Sequence, residues 1–202
     1  MIREVFRRIN LTKFGLEQIE IQNAVYNGEF ITCAKKILNT IEKEHIPIFS
    51  ESELSRMADL HFILLLQSTV IADGYFSRDT EIETYIIENN DEFPQSESIQ
   101  KSFINQFEFI KSLDLAEDSI WYRKSNFFTL FIELLKIDIN KPDVLKKNLV
   151  AFENEVLNNR GKSRDTNDYS LYYSCMYTGT NNRTSRITRS ELFVKYCINN
   201  VA

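Results

Sequence analysis

The chain has 202 residues, of which 43% are hydrophobic and 12% aromatic, so it is long enough to bury a substantial core. It contains 15 Phe and 9 Tyr but only 5 Gly and 3 Pro, and this shortage of turn residues favours helices over a many-stranded β fold. The net charge of -5 argues against a generic binder of polyanions.

The cysteines and the apolar stretches limit the compartment. Cys33, Cys175 and Cys197 are odd in number, lie far apart and form no CxxC pair, which argues against a disulfide framework and a structural zinc site. The N-terminus lacks the apolar run of a secretory signal, and the longest apolar stretch, 60–72, falls short of the roughly 20 residues that a bilayer requires. We therefore expect a cytoplasmic protein with no membrane partner.

The predicted elements begin with an extended segment. Residues 2–9 are rich in β-branched and aromatic side chains, and 1–15 are predicted to form an extended lead-in. The remainder, 16–202, is predicted to be one all-α domain of about eight or nine helices, in which 159–168 is the place where a subdivision would fall. Apolar spacing predicts helices over 16–26, 29–45, 51–66, 78–90, 96–113, 120–137, 141–158 and 169–177, followed by a closing helix.

Local cap signals set several helix starts. Ser50-Glu51-Ser52-Glu53 reads as a capping box, and Ser77 stands at the N-cap position for the helix over 78–90. Thr188, with Glu191 three residues later, is predicted to cap the closing helix. The helix that follows the capping box is apolar on all sides, which is typical of a central core helix.

Catalytic motifs are not found. The sequence has no Gly-rich phosphate loop, no HExxH and no GxSxG, and neither histidine has an adjacent nucleophile. Asp79 and Glu83 could hold Mg²⁺ on one helix face, but we interpret them as part of a solvated acidic face. The sequence therefore predicts no catalytic residue and no metal site.

Basic residues are concentrated near the end of the chain. Residues 160–195 contain seven Lys and Arg against three acids, a net charge of +4, whereas 1–159 carry -9. Three arginines at a spacing of three near a helix start are expected to lie along one side, where the helix amides add positive potential. The candidates for contact with nucleic-acid or nucleotide phosphate are Arg183, Arg186, Arg189, Asn181, Lys162 and Arg164.

Structural interpretations stand beside this binding hypothesis. The arginines would instead pair with the acids that dominate the rest of the chain and hold the last helix in place. Tyr169, Tyr172, Tyr173 and Tyr177 recur at spacings of three and four, which is typical of a packed helix face as well as of a base-stacking platform.

A series of short motifs runs through nearly the whole chain. The first are VFRRIN at 5–10, Leu16, Glu20, Asn23-Ala24, Tyr26 and Gly28-Glu29-Phe30. The middle ones are RMAD at 56–59, GYF at 74–76, RD at 78–79, EIE at 81–83, NDEF at 90–93 and FFTLF at 127–131. The last are Tyr172-Tyr173, GTN at 179–181 and RTSRITR at 183–189. Jointly these motifs resemble those of the GmrSD-type restriction proteins.

That resemblance implies a bacterial module of phage defence, in which modified foreign DNA is restricted with nucleotide hydrolysis, often alongside an HNH-type nuclease domain. Family members carry an earlier ParB-like or sulfiredoxin-like α/β half with an Asp-Gly-Gln-Gln-Arg motif, which this sequence lacks. The chain therefore resembles the helical C-terminal half, with Arg8 and Asn10 near the missing active site. Nucleotide and Mg²⁺ are expected only for a complete family member, so no cofactor is expected in this chain.

The expected function is thus a noncatalytic helical half of a GmrSD-like restriction protein that contacts DNA or nucleotide phosphate. The alternative is a protein-interaction subunit that docks a separate chain carrying the ParB-like half or an HNH nuclease. An autonomous metal-dependent nuclease would require a cluster of carboxylates and histidines that the sequence does not show.

Overall fold

A computed structural model of the chain describes residues 16–77, 79–198 and 201, and within them it confirms the predicted all-α class, with no strand. The segment 1–15 lies outside the described residues. Ten α-helices are present in this part of the chain, together with 3-10 turns at Lys43–His45 and Ile120–Tyr122. The helices are α1 Gln18–Val25, α2 Glu29–Thr40, α3 Glu51–Leu54, α4 Ala58–Ile71, α5 Asp79–Glu88, α6 Ser96–Ser112, α7 Lys124–Leu134, α8 Pro142–Asn158, α9 Asp168–Tyr177 and α10 Arg183–Cys197.

Contacts divide the described residues into two compact units. The first unit comprises 16–42, 49–71 and 79–104. The second comprises 43–48, 72–77, 105–198 and 201. The link at 159–168, where the sequence would place a subdivision, joins α8 to α9 inside the second unit.

The first unit is built around α4. Helices α1, α2, α3 and α5 all contact it, which explains why its sequence is apolar on every side. Residues 62–69 are buried without exception, including Gln67 and Ser68. The sequence thus identified the core helix of this unit.

The predicted helix over 51–66 is interrupted. The capping box forms as predicted, since the Ser50 N–H donates to Oε2 of Glu53 at 2.9 Å. However, α3 ends at Leu54, and Met57 adopts a φ of 57°, a left-handed conformation that a continuous helix does not accommodate. The new helix α4 starts at Ala58, and this break raises the number of helices to ten.

The cap prediction for the closing helix is wrong. Helix α10 begins at Arg183 after its N-cap Asn182, which places Thr188 inside the helix. Oγ of Ser77 accepts a hydrogen bond from the backbone N–H of Arg183 at 2.8 Å, so Ser77 supports the start of α10, a contact that spacing alone does not reveal. Its role at the start of α5 stays a prediction.

Aromatic side chains form the core of the second unit. Trp121 is fully buried, and its ring contacts the rings of Phe152, Tyr172 and Phe193 at centroid distances of 6.2, 6.3 and 5.5 Å. The indole Nε1 donates to the Leu149 carbonyl at 3.2 Å, which satisfies its one polar group. Helices α8, α9 and α10 are thereby packed around a single tryptophan.

A close backbone approach in the first unit requires glycine at position 28. The N–H of Glu29 donates to the carbonyl oxygen of Asn90 at 2.8 Å, and a Cβ at Gly28 would lie 2.2 Å from that oxygen. The φ of Gly28 is -83°, so the constraint is space and not backbone conformation. The turn before α2 therefore packs directly on the end of α5.

Gly28→Ala is expected to lower the free energy of unfolding by roughly 1–3 kcal/mol, because the added methyl group forces the two backbones apart. Urea unfolding followed by circular dichroism measures the change. Gly74→Ala is the matched control, since a Cβ there would meet nothing closer than 3.8 Å. Equal losses in the two variants would contradict the close approach.

Asp168 at the start of α9 receives two hydrogen bonds that lower the pKa of its carboxyl. The first is from Nζ of Lys195 at 2.6 Å and the second from the Tyr196 hydroxyl at 2.8 Å. Because the folded pKa is depressed, the stabilisation is present above the unfolded pKa of about 3.9 and is lost as the pH falls through the folded value. The pair is partly exposed, so its contribution is discounted for solvent screening.

We expect Asp168→Asn to reduce the free energy of unfolding at neutral pH by up to about 1 kcal/mol. The difference from the wild type should shrink as the pH falls from about 4 through the lower pKa of the folded state, because below that value both states bind the proton. Urea titrations at neutral pH and at an acidic pH test this. Asp165→Asn is the control, because its carboxylate is 88% exposed. A difference that stays constant on acidification would exclude the linkage.

Candidate nucleic-acid interface

Arg183 is the arginine of the predicted row that the structure leaves exposed. Its Nε donates to the carbonyl oxygen of Tyr75 at 2.8 Å, while its backbone N–H is held by Ser77. The first residue of α10 is therefore fixed by the segment 72–77, and its charge stays at the surface of the second unit.

Arg186 lies in the interior of the same unit, with a relative exposure of 2%. Its Nη1 donates to the carbonyl oxygen of Phe76 at 2.6 Å. The guanidinium group lies over the rings of Phe76 and Phe128, at 5.5 and 4.9 Å from their centroids. This contact combines a charge-assisted hydrogen bond with cation–π attraction in a desolvated place.

Arg189 is also buried, with a relative exposure of 1%. Its Nη1 and Nη2 donate to the carbonyl oxygens of Cys175 and Thr180 at 2.7 and 3.0 Å, and its Nε lies 3.2 Å from the Thr129 hydroxyl oxygen. Burial lowers the pKa of the guanidinium, although arginine remains charged at neutral pH. We refer to Arg186 and Arg189 together as the arginine cluster.

The expectation of one exposed row of three arginines is therefore corrected for Arg186 and Arg189. At about 100° per residue, each step of three turns the side chain by roughly 60° around the helix, so a row that starts at the surface rotates into the interior. The interpretation that the arginines hold the last helix in place describes these two better. Their partners include backbone carbonyls and ring faces, which a search for acidic partners in the sequence does not reveal.

A buried carboxylate lies close to the arginine cluster. Glu133 of α7 has a relative exposure of 4%, and it accepts hydrogen bonds from the Tyr75 hydroxyl, from Ser190 at 2.8 Å and from Nζ of Lys136 at 2.9 Å. Burial, and after it the charge of Glu133, raises the pKa of Tyr75. The hydroxyl therefore stays protonated and serves as a donor to the carboxylate.

The remaining predicted phosphate contacts lie at the surface. Lys162 and Arg164 are in the link before α9, where Nζ of Lys162 donates to Asn159 at 2.8 Å and Nε of Arg164 lies 3.9 Å from a carboxylate oxygen of Asp165. Asn181 is exposed in the turn before α10. We call Lys162, Arg164 and Arg183 the exposed basic set. Arg8 and Asn10, which are predicted to lie near the missing active site, fall outside the described residues.

The tyrosines of α9 divide between the interior and the surface. Tyr172 is fully buried, and its ring centroid lies 4.8 Å from that of Phe152. The ring centroid of Tyr169 lies 5.7 Å from that of Phe152, as expected for a packed helix face. Tyr177 is 47% exposed, and the guanidinium of Arg123 lies 4.0 Å above its ring. Arg123 was missed in the sequence because its partner is remote along the chain and no local pattern marks it.

Motif residues in the first unit contact one another. Nη2 of Arg56 lies 2.9 Å from Oε2 of Glu20, and the rings of Phe30 and Phe93 meet edge to face at a centroid distance of 4.9 Å. The turn at Gly28 likewise contacts Asn90, and both residues belong to the motifs. The short motifs of this unit thus occur as contacting pairs.

The same holds for motif residues in the second unit. Arg183 and Arg186 bind the carbonyls of the GYF segment at 74–76, and Arg189 donates to Thr129 in the FFTLF segment at 127–131. Three motifs that are far apart in the sequence therefore meet at the start of α10.

Among the described residues, no three His, Cys, Asp or Glu side chains lie close enough together to hold a metal ion. None of the helices in this part of the chain is long and apolar enough to cross a membrane. The fold and the site thus define an all-α protein with a buried arginine cluster and an exposed basic set. Comparison of the chain with protein-family models, with curated proteins and with solved structures found no match.

Arg189→Ala is expected to lower the free energy of unfolding by roughly 2–4 kcal/mol, because it leaves the buried carbonyl of Cys175 and the partly buried carbonyl of Thr180 without this donor and opens a cavity. Arg183→Ala should cost less than about 1 kcal/mol, since its side chain is exposed. Chemical denaturation of both variants measures the difference. Similar losses for the two would show that the arginine cluster does not stabilise the fold as described.

Proposed function

We propose that this chain is the noncatalytic helical part of a restriction module of the GmrSD type, and that it contacts nucleic-acid phosphate through the exposed basic set. In this proposal the reaction chemistry belongs to a ParB-like α/β half or an HNH nuclease that this sequence does not contain. The chain contributes a helical framework and a binding surface.

The observation that carries the proposal is the pairing of motif residues in both units. Motifs that resemble a family by chance have no reason to be contact partners across long stretches of chain. Here Glu20 pairs with Arg56, and the arginines of the 183–189 motif bind the GYF and FFTLF segments. Such pairing is expected where the motifs specify one shared fold.

A noncatalytic role agrees with what these motif residues do. Arg189 has its donors directed at Cys175, Thr180 and Thr129, and the buried Glu133 is surrounded by three donors. Groups engaged in this way stabilise the fold and are poorly placed to transfer protons or to bind a metal.

Phosphate contact is supported by charge and exposure. The exposed basic set belongs to residues 160–195, which carry a net charge of +4, or +2 when the buried Arg186 and Arg189 are left out, within a chain of net charge -5. Lysine and arginine that neutralise phosphates release counterions from DNA, so this contact has a measurable salt dependence of about -0.9 in log–log slope for each phosphate.

Binding of the whole chain to labelled duplex DNA, measured by fluorescence anisotropy over a range of salt concentrations, tests the proposal. The triple variant Lys162→Ala, Arg164→Ala and Arg183→Ala should bind more weakly and lose up to about 2.7 of the slope, because three phosphate contacts are removed. The matched control replaces three exposed lysines elsewhere, Lys36, Lys101 and Lys147, by alanine.

The control triple changes the net charge equally and should retain the slope of the wild type. If the exposed-set triple keeps both the affinity and the slope, these residues do not contact phosphate. Lack of any binding of the wild type to duplex DNA would overturn the nucleic-acid part of the proposal.

A further inference from the structure

A cavity of about 390 Å³ lies between the start of α7 and the end of α9 in the second unit. This volume falls within the range of small-molecule sites in proteins. Its lining includes Tyr122, Arg123, Lys124, Met176, Tyr177 and Thr180, and none of the described residues that line it is acidic. We call this cavity the tyrosine–arginine pocket.

One wall of the pocket is a flat, cationic aromatic surface. Tyr177 is 47% exposed, and the guanidinium of Arg123 lies 4.0 Å from the centroid of its ring. The centroids of the Tyr177 and Tyr173 rings are 4.8 Å apart. A guanidinium stacked on a tyrosine extends the planar surface and gives it a positive charge. Bases stack on such aromatic rings and on the planes of arginine side chains.

Two basic side chains line the pocket beside this wall. Arg123 lies over the Tyr177 ring, and Lys124 follows it at the start of α7. The positive charge of Arg123 also opposes the rise in the pKa of Tyr173 that partial burial and the neighbouring Tyr177 cause. The exposed Tyr177 ring and the two cations thus occupy one place, although they come from separate segments.

The combination of groups narrows the class of ligand. Cations alone would suit any anion, and exposed rings alone would suit any apolar group. A planar stacking surface that carries one cation and lies beside another matches a nucleotide, which joins a flat base to a phosphate. In a duplex, stacking between neighbouring base pairs covers the faces of each base. An unpaired base therefore fits this wall better than a base inside a double helix.

We propose that the tyrosine–arginine pocket binds one nucleotide unit with an unpaired base. The base stacks on the Tyr177 and Arg123 surface, and the phosphate lies near Lys124. This inference rests on the proposed function insofar as both place nucleic acid on the second unit. It adds a separate subsite, with other residues and a preference for unpaired bases.

The test measures the affinity of the whole chain for a fluorescein-labelled oligothymidylate of about 12 nucleotides at several salt concentrations. Tyr177→Ala should weaken binding by about tenfold or more, as expected for the loss of one stacked base, and leave the salt slope unchanged. Tyr177→Phe should bind as the wild type does, since the ring is retained. Lys124→Ala should weaken binding and reduce the slope by about 0.7, the value for one single-strand phosphate.

Two control variants separate the pocket from general surface effects. Val194→Ala removes another exposed apolar side chain, and Lys101→Ala removes one charge in the first unit. Both should bind like the wild type. Far-UV circular dichroism of Tyr177→Ala checks that the helical content is kept.

Competition with ATP distinguishes the two sources of a nucleotide unit. Displacement of the oligonucleotide by ATP in the wild type but not in Tyr177→Ala assigns the pocket to free nucleotide, and binding that resists ATP assigns it to a strand. Either outcome supports the pocket, provided that Tyr177→Ala loses affinity. The proposal is overturned if Tyr177→Ala binds both probes like the wild type, or if the wild type binds neither.

The failure of this inference differs from the failure of the proposed function. Duplex binding that depends on Lys162, Arg164 and Arg183, together with oligothymidylate binding that ignores Tyr177, would refute only the pocket. Loss of single-strand binding in Tyr177→Ala while duplex binding is undetectable would refute only the duplex contact.

Discussion

The guanidinium group of Arg189 is buried at the point where α7, α9 and α10 of the second unit meet. A buried charge is costly unless acceptors surround it, and Arg189 finds them in the carbonyls of Cys175 and Thr180 and in the Thr129 hydroxyl. The Cys175 carbonyl lies in the last turn of α9, just beyond the Ser174 carbonyl that accepts from the C-cap N–H of Thr178, so the helix itself offers it no donor. Arg189 therefore caps α9 from within the fold, and the positions of three segments depend on one side chain.

The same dependence explains which parts of the fold were predictable. Helical periodicity located α6 because its apolar residues repeat at short range, and an apolar run marked the core helix α4. The capping box at Ser50 was recognisable because both of its partners lie within four residues. Ser77 and Arg189 use partners that are remote in sequence. Spacing suggested a phosphate ligand for Arg189, whereas its contacts bury it, and spacing gave no sign that Ser77 supports the start of α10.

The candidate site was predictable only in its exposed part. Lys162 and Arg164 lie in a polar link, where charge and a lack of apolar spacing indicate the surface directly. Burial of Arg186 depends on the orientation of α10, which is set by contacts with Phe76 and Phe128. Spacing gives the angle between two side chains on a helix, but it does not tell which face of the helix meets the core.

Helix α9 links the buried arginine to the exposed aromatic surface. One face carries Tyr172 into the core, its last turn is capped by Arg189, and Tyr177 at its end lies at the surface below Arg123. A binding residue on a rigid, well-supported element keeps its geometry better than one on a loop. The hydrogen bonds of Arg189 therefore act on the pocket from the interior, since they hold the end of α9 and the carbonyl of Thr180, which lines the pocket. A motif arginine inside the protein can in this way determine the geometry of a surface on which it is not itself exposed.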